Sequence, residues 1–242
     1  MQVTYINHSG FLLEWEHCYW LFDYYKGNVP AIDPSKELFV FCSHSHPDHY
    51  NPEIFTLFAG HPHVHWLFAN EIKRAFQRTK KHSTAPLPDV TFLQTHTDTT
   101  LTDHQGQPLI IHTLHSTDRG CAFLIHYQDR YIYHAGDLHW WTWPGEPEND
   151  NRKMAGDYKK EIAYLSDKPL FLAFAPLDPR QEADYAMGMN YLLSHVQIQH
   201  MFPMHFWNDF SVIDRYLAEN TVPEATIFHR IHHDGNSLII RE

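Results

Sequence analysis

The sequence predicts an α/β fold of two β-rich layers flanked by helices, on three observations. Short runs rich in aromatic and β-branched residues alternate with segments whose apolar residues recur at helical spacing. This strand-then-helix order occurs twice along the chain. No linker, low-complexity tract or short-period repeat interrupts it, so a single domain is expected over residues 1–242. That length is enough to bury a core around a rigid site.

The chain opens on strands: VTYIN, a turn at His8, Ser9 and Gly10, then FLLEW and CYWLFD. ELFVFCS (37–43) is an apolar run of the length of a buried strand, and it leads directly into HSHPDH (44–49). Asn51 and Pro52 supply an N-cap and first-turn signal, with Ile54, Phe55 and Phe58 forming a helical apolar face. HSHPDH therefore occupies a strand-to-helix loop. HVHWLFA, ANEIKRAFQR and VTFLQ read as strand, helix and strand.

In the second half, PLIIHTLH, GCAFLIHY and RYIYHAGD are strand-like runs, followed by a loop of Pro, Gly and acidic residues over 144–150. Met154, Tyr158, Ile162 and Leu165 recur at the spacing of a helix laid on a sheet. LFLAFAPLD is a buried strand, EADYAMGMNYLLSHV a helix, HMFPMHF a strand running into a loop, and SVIDRYLAEN a helix. TIFHRIHHDGNSLII is expected to form a hairpin about Asp234 and Gly235.

An apolar fraction of 43%, with 15% aromatic residues, makes the chain globular, and no apolar run approaches a membrane span. The opening MQVTYINHSGF lacks the marks of an export leader, so the cytoplasm is the expected location. Cys18, Cys42 and Cys121 are widely spaced and read as buried thiols, which leaves nitrogen and oxygen to hold any metal. With 18 basic against 29 acidic residues and a formal charge of −11, the chain has no basic stripe for a polyanion. A small-molecule substrate is expected, without nucleic acid or membrane partners, and homo-oligomer formation is left open.

HSHPDH carries the chemistry. In extended chain, alternate residues face the same way, so His44 and His46 can offer imidazoles to one point. After the interruption at Pro47, Asp48 and His49 can face a second point. Two metals about 4 Å apart lower the pKa of a shared water toward ~7 and make it a nucleophile. Six positions cannot complete two sites, so further ligands must come from places where distant strands run out into loops. His112 or His115, Asp137 and His205 occupy such places.

This pattern of HxHxDH, a later His, a Gly-Asp and a final His resembles the metallo-β-lactamase superfamily, over nearly the whole chain. "NHSGFLLEWEHCYWLFD" and "YHAGD" look like its lactonase-like members, related to L-ascorbate-6-phosphate lactonase. The resemblance implies a four-layer αββα sandwich with metals at one edge. It implies that His44, His46 and His115 hold one metal, that Asp48, His49 and His205 hold the other, and that Asp137 bridges them. Asp118 and His112 stay open as alternatives to His115. Asp48 is the implied catalytic residue, orienting the attacking water or shuttling its proton.

Around this constellation, Asp23 can accept a ligand histidine's second ring N–H, and His134 reads as a packed or supporting histidine. Trp140, Trp141 and Trp143 can wall a pocket or form a core cluster. Arg119 and Arg180 are the fixed cations nearest the strand ends and match a substrate carboxylate or phosphate, or an ion pair. Asp178 is a neighbouring oxygen donor or a turn residue. The expected activity is hydrolysis of a lactone, ester or phosphoester with two divalent ions, zinc first and manganese or iron next. The alternatives are mononuclear iron dioxygenase chemistry on the same fold and a non-catalytic metal-binding protein.

Overall fold

A computed structural model of the protein describes residues 1–143 and 145–241. Fourteen strands build two sheets of seven among the described residues. In chain order, β1 (Gln2–Asn7), β2 (Gly10–Glu14), β3 (Cys18–Phe22), β4 (Glu37–Cys42), β5 (Val64–Ala69) and β6 (Thr91–Leu93) belong to the first sheet. Next, β7 (Asp98–Thr102), β8 (Pro108–His115), β9 (Cys121–Tyr127), β10 (Arg130–His134), β11 (Leu170–Pro176), β12 (Ile198–Met204) and β13 (Ile227–Phe228) form the second. β14 (Ser237–Ile239) returns to pair with β1.

Each sheet is mixed in the same way. The ladders from β14 through β3, and from β7 through β10, are antiparallel, whereas those from β3 to β6 and from β10 to β13 are parallel. The parallel strands have both faces covered, which is why ELFVFC and LFLAFAP are apolar at nearly every position and buried throughout.

Phenylalanines from the two sheets meet in the middle layer: Phe11 lies 4.4 Å from Phe174 and Phe41 lies 5.5 Å from Phe123, centroid to centroid. Each such ring contributes about 1.5–3 kcal/mol by leaving water. On the outer face of the first sheet, α1 (Ile54–Leu57) and α2 (Lys73–His82) pack Phe55 on Trp66 and Phe76 on Phe92. The second sheet is covered by α3 (Glu148–Ile162), α4 (Met187–His195) and α5 (Ser211–Glu219), with Tyr216 stacked on Phe228. The result is the predicted four-layer arrangement.

Two local expectations are corrected, and one strand is added. Asp234 and Gly235 do not join a hairpin: β13 pairs with β12 and β14 with β1, so the flanking strands enter different sheets. The turn instead continues the β14 side of β1, with Gly235 N donating to Tyr5 O at 2.9 Å. DTTLT, a segment to which the sequence analysis assigns no element, forms the edge strand β7. The loop expected over 144–150 gives way to α3 from Glu148, and Pro144 lies outside the described residues. No described helix is long and apolar enough to cross a membrane. All three cysteines are buried free thiols.

Candidate metal centre at the edge of the sandwich

Six chain segments converge at one edge of the sandwich. They are the turn between β1 and β2, the loop after β4, the turn between β8 and β9, and the chain just beyond β10, β11 and β12. Glycines allow the closest approach. A Cβ on Gly120, whose φ is +68°, would fall 1.9 Å from Ser43 O, and one on Gly136 would fall 2.7 Å from Ser43 Cβ. With no side chain in the way, Cys121 N donates to Ser43 O at 3.1 Å and ties the second sheet to the start of the HSHPDH loop.

The convergent donors form two groups, each with ligand atoms mutually within 4.8 Å: His44, His46, Asp118 and Asp137 in one, and His8, Asp48, His49 and His205 in the other. The two halves of HSHPDH thus fall on opposite sides of Pro47. Asp137 stands between the groups. Its Oδ2 is 3.4 Å from His44 Nε2, while its Oδ1 is 3.1 Å from His49 Nε2 and 3.4 Å from His205 Nε2.

Buried carboxylates behind the site orient the imidazoles. His49 Nδ1 lies 2.8 Å from Asp23 Oδ2, and Ser43 donates to the same carboxylate through N and Oγ at 2.7 and 2.6 Å. His205 Nδ1 lies 3.0 Å from Asp178 Oδ2. Each pairing leaves the ring's Nε2 aimed into the site, the second-sphere pattern of metal-bound histidine.

Several of these residues sit at left-handed backbone angles that side chains rarely adopt: His8 at φ 57°, Asp23 at 40° and His205 at 62°. His205 N donates to His8 O at 3.1 Å, which locks two of these strained residues to each other.

The donor set fits cations. His8 Nε2, His49 Nε2 and Asp137 Oδ1 are buried without a well-formed hydrogen bond, although the last two approach to 3.1 Å and His8 Nε2 comes within 3.2 Å of Asp48. Burial, reinforced by His49, pushes the His44 imidazole down to about 3. Burial also takes His8 to about 4, against the pull of Asp48. Such rings are neutral, the form that donates a lone pair. Burial alone would raise Asp137, yet the imidazoles of His49, His205 and His44 hold its carboxyl well below the usual range. His49, set between Asp137 and Asp23, is instead held protonated against the effect of burial. A cation taking its Nε2 would displace that proton.

Residues 2–145 match the model of the beta-lactamase superfamily domain. The chain belongs to this family. As a fold, it is similar to the metallo-beta-lactamase fold protein YhfI from Bacillus subtilis, at 15% identity and a TM-score of 0.65 over 98% of each chain. Igni18, a metallo hydrolase from the hyperthermophilic archaeon Ignicoccus hospitalis, is similar at 14% identity and a TM-score of 0.62, over 98% of this chain and 97% of that one. CmlA, a diiron beta-hydroxylase from Streptomyces venezuelae, is similar at 11% identity and a TM-score of 0.61, over 99% of this chain and 54% of that one. No curated protein matches the sequence.

Within the family's αββα sandwich, the expectation for His115 is not met by the geometry. His115 is the last residue of β8 and exposed, with its backbone N donating to Glu161 at 3.0 Å. The turn after it reaches over the site because Gly120 closes on Ser43, and this carries Asp118 Oδ2 to 3.3 Å from His46 Nδ1. His112 points elsewhere, to Asp98 at 2.6 Å. His8 joins the second group through a 3.2 Å contact with Asp48, a place that its reading as a turn residue did not predict. Its signal was the polar His8-Ser9-Gly10 turn sitting at the same strand edge as HSHPDH.

The flanking residues divide. His134 is fully buried, with Nε2 3.0 Å from Ser9 O and its ring stacked on Phe22, so it packs the site from below. Trp140 packs on Tyr158 and Tyr191 under Lys159, away from the opening. Arg119 is exposed, with Nη1 3.9 Å from Glu71. Trp141, Trp143, Trp207, Met154 and Arg180 wall a cleft of about 260 Å³ whose floor includes His46, Asp48, Asp118, Asp137 and His205.

Proposed function

We propose that this chain is a hydrolase working with two divalent metal ions on a small lactone, ester or phosphoester. In this reading one ion is held by His44, His46 and Asp118, the other by Asp48, His49 and His205, with Asp137 shared and His8 beside the second. The observation that carries the reading is Asp137, whose two oxygens face different histidine groups at 3.1–3.4 Å. Zinc is the first choice for such mixed imidazole and carboxylate donors, with manganese or iron next. Ions bound there supply Lewis acidity and an acidified water at neutral pH.

The chain's own residues do the rest. Asp48, 19% exposed in its side chain at the cleft floor, is placed to accept a proton from an attacking water. His8, 3.2 Å away, holds that carboxylate in position. Trp141, Trp143 and Trp207 keep bulk water off the reacting bond and offer flat surfaces to the substrate. A cleft of about 260 Å³ with a floor rich in carboxylates suits a small molecule better than a polynucleotide. On the resemblance of its N-terminal and YHAGD segments to lactonase-like sequences, a lactonase is the first activity to try.

The test is metal analysis of the purified protein, followed by a panel of lactones, esters and phosphodiesters before and after chelation. About two metal equivalents and a chelation-sensitive hydrolysis lost in Asp48→Ala are expected. Retention of every hydrolysis by Asp48→Ala, or hydrolysis indifferent to chelation, sinks the reading. The three carboxylates among the eight donors give a second reading, iron-dependent oxygen chemistry, some support. It predicts iron as the bound metal and oxygen consumption in place of hydrolysis.

A further inference from the structure

We propose that Arg180 recognises an oxyanion on the substrate, a carboxylate or a phosphate, while Trp143 and Trp207, which line the same cleft, contact an attached flat or apolar body. The proposal rests on the hydrolase reading above and names the substrate class of the same cleft.

Arg180 is the one fixed cation among the described residues that line the cleft. Its position is rigid. Nε lies 2.9 Å from both Asp178 oxygens, Nη2 lies 2.5 Å from Oδ2, and its backbone N donates to Oδ1 at 2.9 Å. Aromatic rings hold the guanidinium on two sides, with its central carbon 4.6 Å from the Trp207 centroid and 5.5 Å from that of Trp143. Trp143 is itself stacked on Trp141, 5.7 Å apart and within 5° of parallel. Ordering a long side chain this way is costly for a cation serving solubility alone, which a free surface arginine achieves without a cage.

The ion pair with Asp178 does not use up the arginine. Asp178 also receives His205 Nδ1 at 3.0 Å, so one carboxylate is divided between two donors. Nη1 has no hydrogen-bond partner among the described residues, and the side chain is 47% exposed on the cleft side of the pair. The remaining N–H groups belong to a side chain that lines the cleft, where bound cations would offset the carboxylates of its floor. A guanidinium fork suits the planar or tetrahedral oxyanion better than an ammonium would. The cavity of about 260 Å³ lies below the usual range for drug-sized ligands, so the body beside the tryptophans is no larger than a ring or two.

Isothermal titration of the metal-loaded protein with phenylphosphonate, benzoate and uncharged benzyl alcohol tests the assignment without a substrate. In Arg180→Gln, the affinity for at least one of the two anions is expected to fall about tenfold or more, with benzyl alcohol unchanged. The anion with the larger loss identifies the oxyanion. Equal anion affinity in Arg180→Gln and the parent, at equal metal content and melting temperature, overturns the proposal.

Should Arg180→Gln fail to fold, Trp207→Leu carries the test, because it leaves the arginine and Asp178 in place. It must weaken phenylphosphonate more than methylphosphonate, and equal weakening overturns the proposal. Anion binding that depends on Arg180 in a protein lacking metal-dependent hydrolysis would refute the function proposed above and leave this site standing. Metal-dependent hydrolysis of neutral and anionic esters with equal KM, unaffected by Arg180→Gln, would do the reverse.

Discussion

The Asp23 carboxylate meets His49 Nδ1 at 2.8 Å, with neither side chain exposed to solvent. The contact fixes which ring nitrogen faces Asp137, because a proton shared with Asp23 leaves Nε2 as the only donor atom for a metal. Asp23→Asn keeps the size of the side chain and removes its charge. Metal affinity is expected to fall roughly 10- to 100-fold, measured by competition with a chromophoric chelator. Parental affinity in Asp23→Asn would show that the carboxylate does not set the ring.

Asp118 and His115 make opposite predictions about metal content. Asp118 approaches His46 at 3.3 Å, whereas His115 is exposed beyond both donor groups. Asp118→Ala should lose about one equivalent of bound metal by elemental analysis, and His115→Ala should keep both. The reverse result would return His115 to the first group.

Gly120 is the tightest backbone contact in the site. An added methyl would meet Ser43 O at 1.9 Å from a backbone at φ +68°. Overpacking and left-handed strain together are expected to cost Gly120→Ala ~3 kcal/mol or more, read from urea denaturation. Gly60→Ala is the control, since nothing lies within 4 Å of its added Cβ. A Gly120→Ala protein as stable as the control would contradict the close approach.

His200 and His229 give the fold a pH-sensitive element on the edge of the second sheet. His200 Nδ1 and His229 Nε2 lie 3.0 Å apart, so one must donate and the other accept. Burial, then His200, takes His229 down from 6.5 to about 4. Between these values the unfolded chain binds a proton that the folded chain refuses, so stability is lost as the pH falls from about 6.5 toward about 4. The melting temperature of His229→Gln should decline less over this interval than that of the parent. Parallel declines would show that the pair does not resist protonation.

Much of the fold was legible because its strands are buried on both faces and therefore spell continuous apolar runs, as in ELFVFC and LFLAFAP. DTTLT was not, since an edge strand with alternate residues exposed carries a single leucine and no apolar stripe. The turn at Asp234 and Gly235 was legible as a turn, but turn chemistry does not say whether its two strands pair with each other. In the site, His44, His46, Asp48 and His49 share one loop, so local geometry alone divides them into pairs. The place of His115 was decided by how far the next turn leans over Ser43, which depends on packing between sheets at Gly120. His8 was hidden for the same reason: its partner Asp48 lies far along the chain.

The link between His205 N and His8 O has a consequence for how the molecule is made. It joins the first hairpin to the far end of β12, so it cannot form until most of the chain has left the ribosome and both sheets have come together. Contacts so distant in sequence are among the slowest to close. The second donor group is thus a late event in folding, and a polypeptide stopped short of His205 would carry His44, His46, Asp118 and Asp137 with only part of the other half. Competence at this edge requires that the chain has been made through β12 and that both sheets have met.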